Sequence, residues 1–344
     1  MKTRNHYVTK CYLKMWENSD RNIQVYKKIV SNENEALWRK KKLSQIGYLN
    51  DFYIVYNGQS KDNSEQYSDN FEEIFNKTFE NRLGRILKKI DEGRDLENKD
   101  WITLFKFISV QRYKTLDGYL RIQQLSIEIM EEILPTLEQA ILAGNFSSPR
   151  PMENITTIAL PFDIEIGKEK DGYMNLLVKF ISGRNCWLNQ LIRLMDRLYI
   201  SLEKHSWSLV KAPLNKEWIT SDNPVITLNY YNKDHYDFNG GYDSPNANII
   251  VPISPKYLLF TQIGVKSESV WQADMEFYEK IIKFICENAT FSIFSRNENK
   301  LVEKYSKREV NNQINNLGRT LFEEYQEKEV PVLKKNYENP AGRK

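Results

Sequence analysis

Hydrophobic positions recur every three or four residues through the middle of the chain. Phe71, Ile74, Phe75, Phe79, Leu83, Ile86, Leu87 and Ile90 form one such stripe, bracketed by Asp69 as a cap and Gly93 as a stop, which predicts a helix from about Asn70 to Glu92. Ile102, Phe105 and Ile108 predict a second helix from Asn98 to about Thr115. Leu120, Leu125, Ile129, Ile133, Leu137 and Ile141 predict a third, from Asp117 to Ala143, kinked at Pro135. A fourth helical region is expected over Met174–Lys204, interrupted near Ser182 and Gly183.

Outside this centre the period shortens. Ile23–Tyr26 and Phe52–Tyr56 read as strands within an otherwise extended N-terminal segment. After residue 205, Trp207–Val210, Trp218–Thr220, Val225–Leu228, Ile249–Val251 and Tyr257–Phe260 are short β candidates separated by Gly, Pro and Asn clusters. Residues 270–289 return to a helical pattern, Phe291–Phe294 is a strand, residues 298–325 form a final helix, and the tail from Pro331 is expected to be loose. The pattern is that of an α+β protein in one large domain, about 1–330. A helical bundle (about 69–204) carries the N-terminal segment and an antiparallel or mixed sheet (about 205–296).

Composition narrows the classes. A chain of 344 residues with 41% hydrophobic side chains can bury a core without disulfide or metal staples. The net charge of +3 excludes a polycationic tail and leaves room for a local basic face. Cys11, Cys186 and Cys286 are widely spaced with no CxxC, and only His6, His205 and His235 exist, which speaks against a zinc or haem site. No glycine-rich phosphate loop occurs, so no nucleotide cofactor is expected, and no G-x-S-x-G elbow is present. The first residues lack an apolar run and no apolar window approaches the length of a membrane span. The expectation is a cytoplasmic protein without a membrane partner.

Several segments resemble a bacterial family, the domain of unknown function numbered 4238. His6-Tyr7-Val8-Thr9-Lys10-Cys11-Tyr12-Leu13 is similar to its H-Y-V-P-x-x-Y-L opening, and Phe71-Glu72-Glu73 through Glu80 to its acidic helix. Gln111 through Thr115 resembles its Q-x-x-R-T-P motif, and Trp218-Ile219-Thr220-Ser221-Asp222-Asn223-Pro224-Val225 its F-x-T-S-D-N-P-V motif. Val251–Pro255 is similar to its P-L-S-P strand entry and Ala289–Ser295 to its closing strand. Thr9, Lys114 and Leu116 depart from the pattern, and Lys114 cannot make the bidentate fork of the arginine it replaces. The resemblance implies a fold and a set of residues, and no activity.

Each candidate has two readings. Asp222 is either an Asx-turn residue between strands or a metal ligand or general base at a strand end, with Ser221 and Asn223 beside it to contact substrate. Glu73 and Glu80, seven apart on one helix, either edge a solvated face or join Asp222 in holding Mg²⁺, a hard ion that takes oxygen ligands. His6 is either a packed anchor or a general acid or base. Gln111, Arg112 and Lys114 end a helix, where the two cations either complement its C-terminus or, with Gln111, contact a phosphate or a substrate carboxylate, Gln111 and Lys114 orienting the phosphate. The run Arg39-Lys40-Lys41-Lys42 after Trp38 faces either phosphate or water. The functional readings combine into a metal-assisted nuclease, in a bacterial defence or toxin setting, that uses His6, Glu80 and Asp222. The alternative is a non-catalytic protein or nucleic-acid binder or sensor in which these residues are clamps. The oligomeric state is left open by the sequence.

Overall fold

The computed structural model describes residues 3–59, 65–142, 162–168, 174–180 and 183–338. The architecture is α+β. One sheet has six strands in the order His235–Asp237, Ile226–Asn232, Asn248–Pro252, Tyr257–Gln262, Ser208–Lys211 and Val270–Gln272. Its pairs are antiparallel apart from the last. A second sheet has four antiparallel strands in the order Thr220–Ser221, Ser292–Ser295, Ile23–Lys27 and Trp38–Lys41. The N-terminal segment therefore lies within the sheet system, pairing directly with the strand expected at Phe291–Phe294.

The four-stranded sheet separates two apolar clusters, as the two-residue period of a strand requires. Ile23, Val25 and Phe294 point into a large cluster shared with the helices Asn81–Asp91, Asn98–Gln111 and Arg184–Glu203. Tyr26 and Ile293, one residue along, point into a second cluster with the Met275–Asn288 helix. Arg4–His6 pairs with Tyr48–Asn50 and leads into the short Lys10–Leu13 helix. Gly47 makes that join possible. Its φ is +64°, and a Cβ there would come 2.7 Å from Leu13 Cδ1.

The first expected helix is continuous but changes pitch. Asn70–Phe75 and Asn81–Asp91 are α-helical, and Asn76–Glu80 between them is a π-turn. In an unbroken α-helix, Glu73 and Glu80 would lie within about 20° of each other around the axis. The residue accommodated by the π-turn rotates the downstream helix by roughly 100°. Glu80 is thereby turned inward while Glu73 stays exposed.

Several expectations change. Phe52 and Tyr53 lie in a turn, with the strand running from Val55 to Gln59, and Val270–Gln272 is a strand ahead of the helix Met275–Asn288. Met174–Phe180 is a strand paired with Phe162–Lys168, and the helix begins only at Arg184. A short apolar run looks the same to both periodicities, and Gly183 marks the boundary. The final helix is broken: Lys300–Tyr305 is followed by the two-residue strand Glu309–Val310, which pairs in parallel with Ile29–Val30, and then by Asn312–Glu324. The tail expected to be loose from Pro331 is helical as far as Glu338, in a helix that starts at Val330, which is buried against Tyr56 and Tyr325. The Gly144–Pro151 loop lies outside the described residues.

Candidate functional site around the N-terminal motif

The H-Y-V-T segment threads between the end of the Asn98–Gln111 helix and the π-turn, and its main chain is held by side chains. Gln111 is fully buried. Its Oε1 accepts from Thr9 N (3.1 Å) and Thr9 Oγ1 (3.0 Å), and its Nε2 donates to Tyr7 O (2.8 Å). Lys114, 1% exposed, donates to Glu80 Oε1 at 2.6 Å and lies 4.7 Å from the Phe75 ring centroid. Thr9 Oγ1 also approaches Glu80 Oε1, at 3.3 Å. His6, Thr9, Glu80, Gln111 and Lys114 thus form one cluster drawn from three separate stretches of chain.

His6 is half-buried, and its Nε2 is buried without a hydrogen-bond partner. Loss of hydration, reinforced by the positive charges of Lys10, Lys114 and Arg4 against that of Glu80, lowers its pKa to about 4. The ring is neutral at pH 7. It lies 5.8 Å from the Tyr48 ring, on which the Arg4 guanidinium stacks at 4.9 Å. Behind the motif, Asn5 Nδ2 donates to both oxygens of Asp69 (3.1 and 3.2 Å) and to Glu72 Oε2 (2.9 Å). Burial raises the pKa of both carboxyls.

Asp222, whose charge is felt by Tyr7 of the motif, has both oxygens engaged by main-chain amides. Its Oδ1 accepts from Thr290 N (2.9 Å), and its Oδ2 from Phe291 N (2.6 Å) and Ser292 N (3.2 Å). Complete burial pushes its pKa up to about 6, against the pull of those amides and of Lys28. Ser221 Oγ accepts from Asn223 N. Asn223 and Asn288 exchange side-chain to main-chain bonds, and Asn223 also donates to Asp117. Thr220 Oγ1 meets Tyr12 OH at 2.6 Å, so the two sequence motifs bind each other through the second tyrosine of one and the threonine of the other.

The expected Mg²⁺ ligands are not brought together. Glu73 is exposed and pairs with Lys77, Glu80 pairs with Lys114, and Asp222 holds amides. Among the described residues no three His, Cys, Asp or Glu side chains are grouped to hold a metal ion.

Two open hollows flank the Leu43–Gln45 turn. The smaller is lined by Lys10, Cys11, Lys14, Leu43 and Glu80. The other, of about 370 Å³, is lined by Tyr7, Lys27, Lys41, Tyr48 and Phe291 among others, and no carboxylate lines it. Neither Lys27 nor Lys41 is in an ion pair among the described residues, although Glu35, bound to Arg39, feels the Lys27 charge. Sequence reasoning singled out the Arg39–Lys42 run and missed Tyr48 and Lys27. The available signal was strand alternation, since Lys41 opposite Ile23 and Lys27 opposite Ser292 share one sheet face.

Fold and site together define an α+β protein whose N-terminal motif is locked into a helix–sheet junction beside a basic hollow. The chain belongs to the family described as Protein of unknown function (DUF4238), whose model matches residues 4–317. No curated protein and no solved structure matches it. No helix among the described residues is long and apolar enough to cross a membrane.

Proposed function

We propose that this protein binds nucleic acid, with the face around His6 and Tyr48 as its contact surface. The observation that carries this is the distribution of charge. Lys10, Lys14, Lys27 and Lys41 border two hollows beside the Leu43–Gln45 turn, whose single lining carboxylate, Glu80, is already neutralised by Lys114, and Arg4 lies over the ring of Tyr48, which lines one of them. Such a surface, on a chain of nearly balanced net charge, suits a phosphate backbone.

Binding is favoured over hydrolysis by two features. Asp222 has its oxygens committed to three amides. His6, with a pKa near 4, is a weak base at neutral pH, whereas general bases work best near the operating pH. The nuclease reading retains one supporting feature, the unpartnered Nε2 of His6.

Fluorescence anisotropy with labelled RNA and DNA, followed by gel analysis of the same mixtures with and without Mg²⁺, tests both. The expected result is salt-sensitive binding with the oligonucleotide left intact. Cleavage that His6→Ala abolishes would establish the nuclease reading instead, and absence of binding at low salt would remove both.

A further inference from the structure

The lining of the 370 Å³ hollow is of two chemical kinds. Lys27 and Lys41 supply cations, and Gln45, Asn50 and Ser292 add neutral polar groups. Val25, Ile29, Leu116 and Phe294 add apolar surface, with the aromatic residues Tyr7, Tyr48 and Phe291 among them. Inorganic phosphate would use only the first kind. A duplex would also use only the first kind, because its bases are stacked inside and its phosphates are what it presents. A ligand that uses both must carry a phosphate and an exposed flat, largely apolar group on one unit.

We propose that this hollow receives one unpaired nucleotide of a single strand, its base against the Tyr48 and Phe291 rings and its phosphate between Lys27 and Lys41. The inference rests on the nucleic-acid reading above and specifies the strand state that the surface selects. The volume lies within the range of small-ligand pockets, about 300–1,000 Å³, and at its lower end, as a single nucleotide requires. The arrangement matches the general solution for single strands, in which aromatic faces take bases and a basic groove tracks the backbone. The sheet supplies the rigidity. Lys41 lies opposite Ile23 and Ser292 opposite Lys27 in one register, so the cations are spaced by hydrogen-bonded strands and not by a loop.

The test compares wild-type protein on a single strand, the matching duplex and an abasic strand of equal length, each made as RNA and as DNA where the chemistry allows. The single strand should bind roughly tenfold tighter than the other two, the scale of one stacked base. Tyr48→Leu should abolish that difference, Tyr48→Trp should keep it, and Lys27→Gln with Lys41→Gln should weaken binding to all three. Equal affinity for strand, duplex and abasic strand overturns the inference and leaves the phosphate-binding face standing. Failure to bind any of them overturns the reading on which it rests.

Discussion

Asp222 and His6 are the two ionisable residues that the sequence marks most strongly, and the structure assigns them opposite kinds of surroundings. Asp222 is buried among amide donors. Replacing it with Ala would leave the amides of Thr290, Phe291 and Ser292 unpaired in the interior. The expected loss of stability is about 2–4 kcal/mol, read by chemical denaturation. A variant with unchanged stability would mean that the carboxylate is not a clamp. His6 is half-buried as the neutral ring. Its folded pKa, about 4, lies below the ordinary imidazole value of 6.5. The stability it confers is therefore complete above pH 6.5 and is lost as pH falls towards 4. Asp222, raised from 3.8 to about 6, acts in the opposite sense over nearly the same window, favouring the fold at the acid end. The two partly cancel in the wild type. The Tm of wild type minus that of His6→Gln should consequently shrink between pH 7 and pH 4, and a difference independent of pH would contradict the assignment. That these residues matter was legible from the motifs. Their partners were not, because an aspartate in an Asx-like sequence is expected to bind its own turn, whereas Asp222 binds a turn some seventy positions on.

Among the secondary-structure elements, the join between the π-turn and the end of the Asn98–Gln111 helix depends on one ion pair. Lys114 is 1% exposed and Glu80 15% exposed, at 2.6 Å. Glu80→Gln strands a buried ammonium and should destabilise the protein by about 2–3 kcal/mol, somewhat less than for a fully enclosed pair. Combining it with Lys114→Met should recover much of that loss, and a double-mutant cycle measures the recovery. Strict additivity would show that the pair is not coupled. Periodicity found the helix that carries Glu80, because its apolar stripe is long. It could not find the π-turn, because the four-residue spacing of Phe71, Phe75, Phe79 and Leu83 suits an α-helix and a π-turn alike, and the turn rotates apolar and polar positions together. The same limit explains residues 174–180. Met174–Phe180 is apolar enough to extend either element, and its pairing with Phe162–Lys168 is a non-local event that no local pattern encodes. The break at Ser306–Asn311 is likewise set by pairing of Glu309–Val310 with Ile29–Val30.

Across the full chain, the α+β class followed from the change of period near residue 205. The entry of Ile23–Lys27 into a sheet with Ser292–Ser295 did not follow, since it joins segments more than 250 residues apart. That pairing turns scattered lysines into a single face: Lys27 and Lys41 reach it on adjacent strands, and Lys10 and Lys14 arrive by the motif that Gln111 anchors. The measurement that bears most closely on this face is the salt dependence of affinity for a labelled single strand, compared between wild type and the Lys10→Gln, Lys14→Gln protein. If these lysines neutralise phosphates, the slope of log K against log salt concentration should fall by about 0.7 for each one removed, with thermal stability unchanged. An identical slope in both proteins, or binding insensitive to salt, would contradict the assignment of this face to nucleic acid.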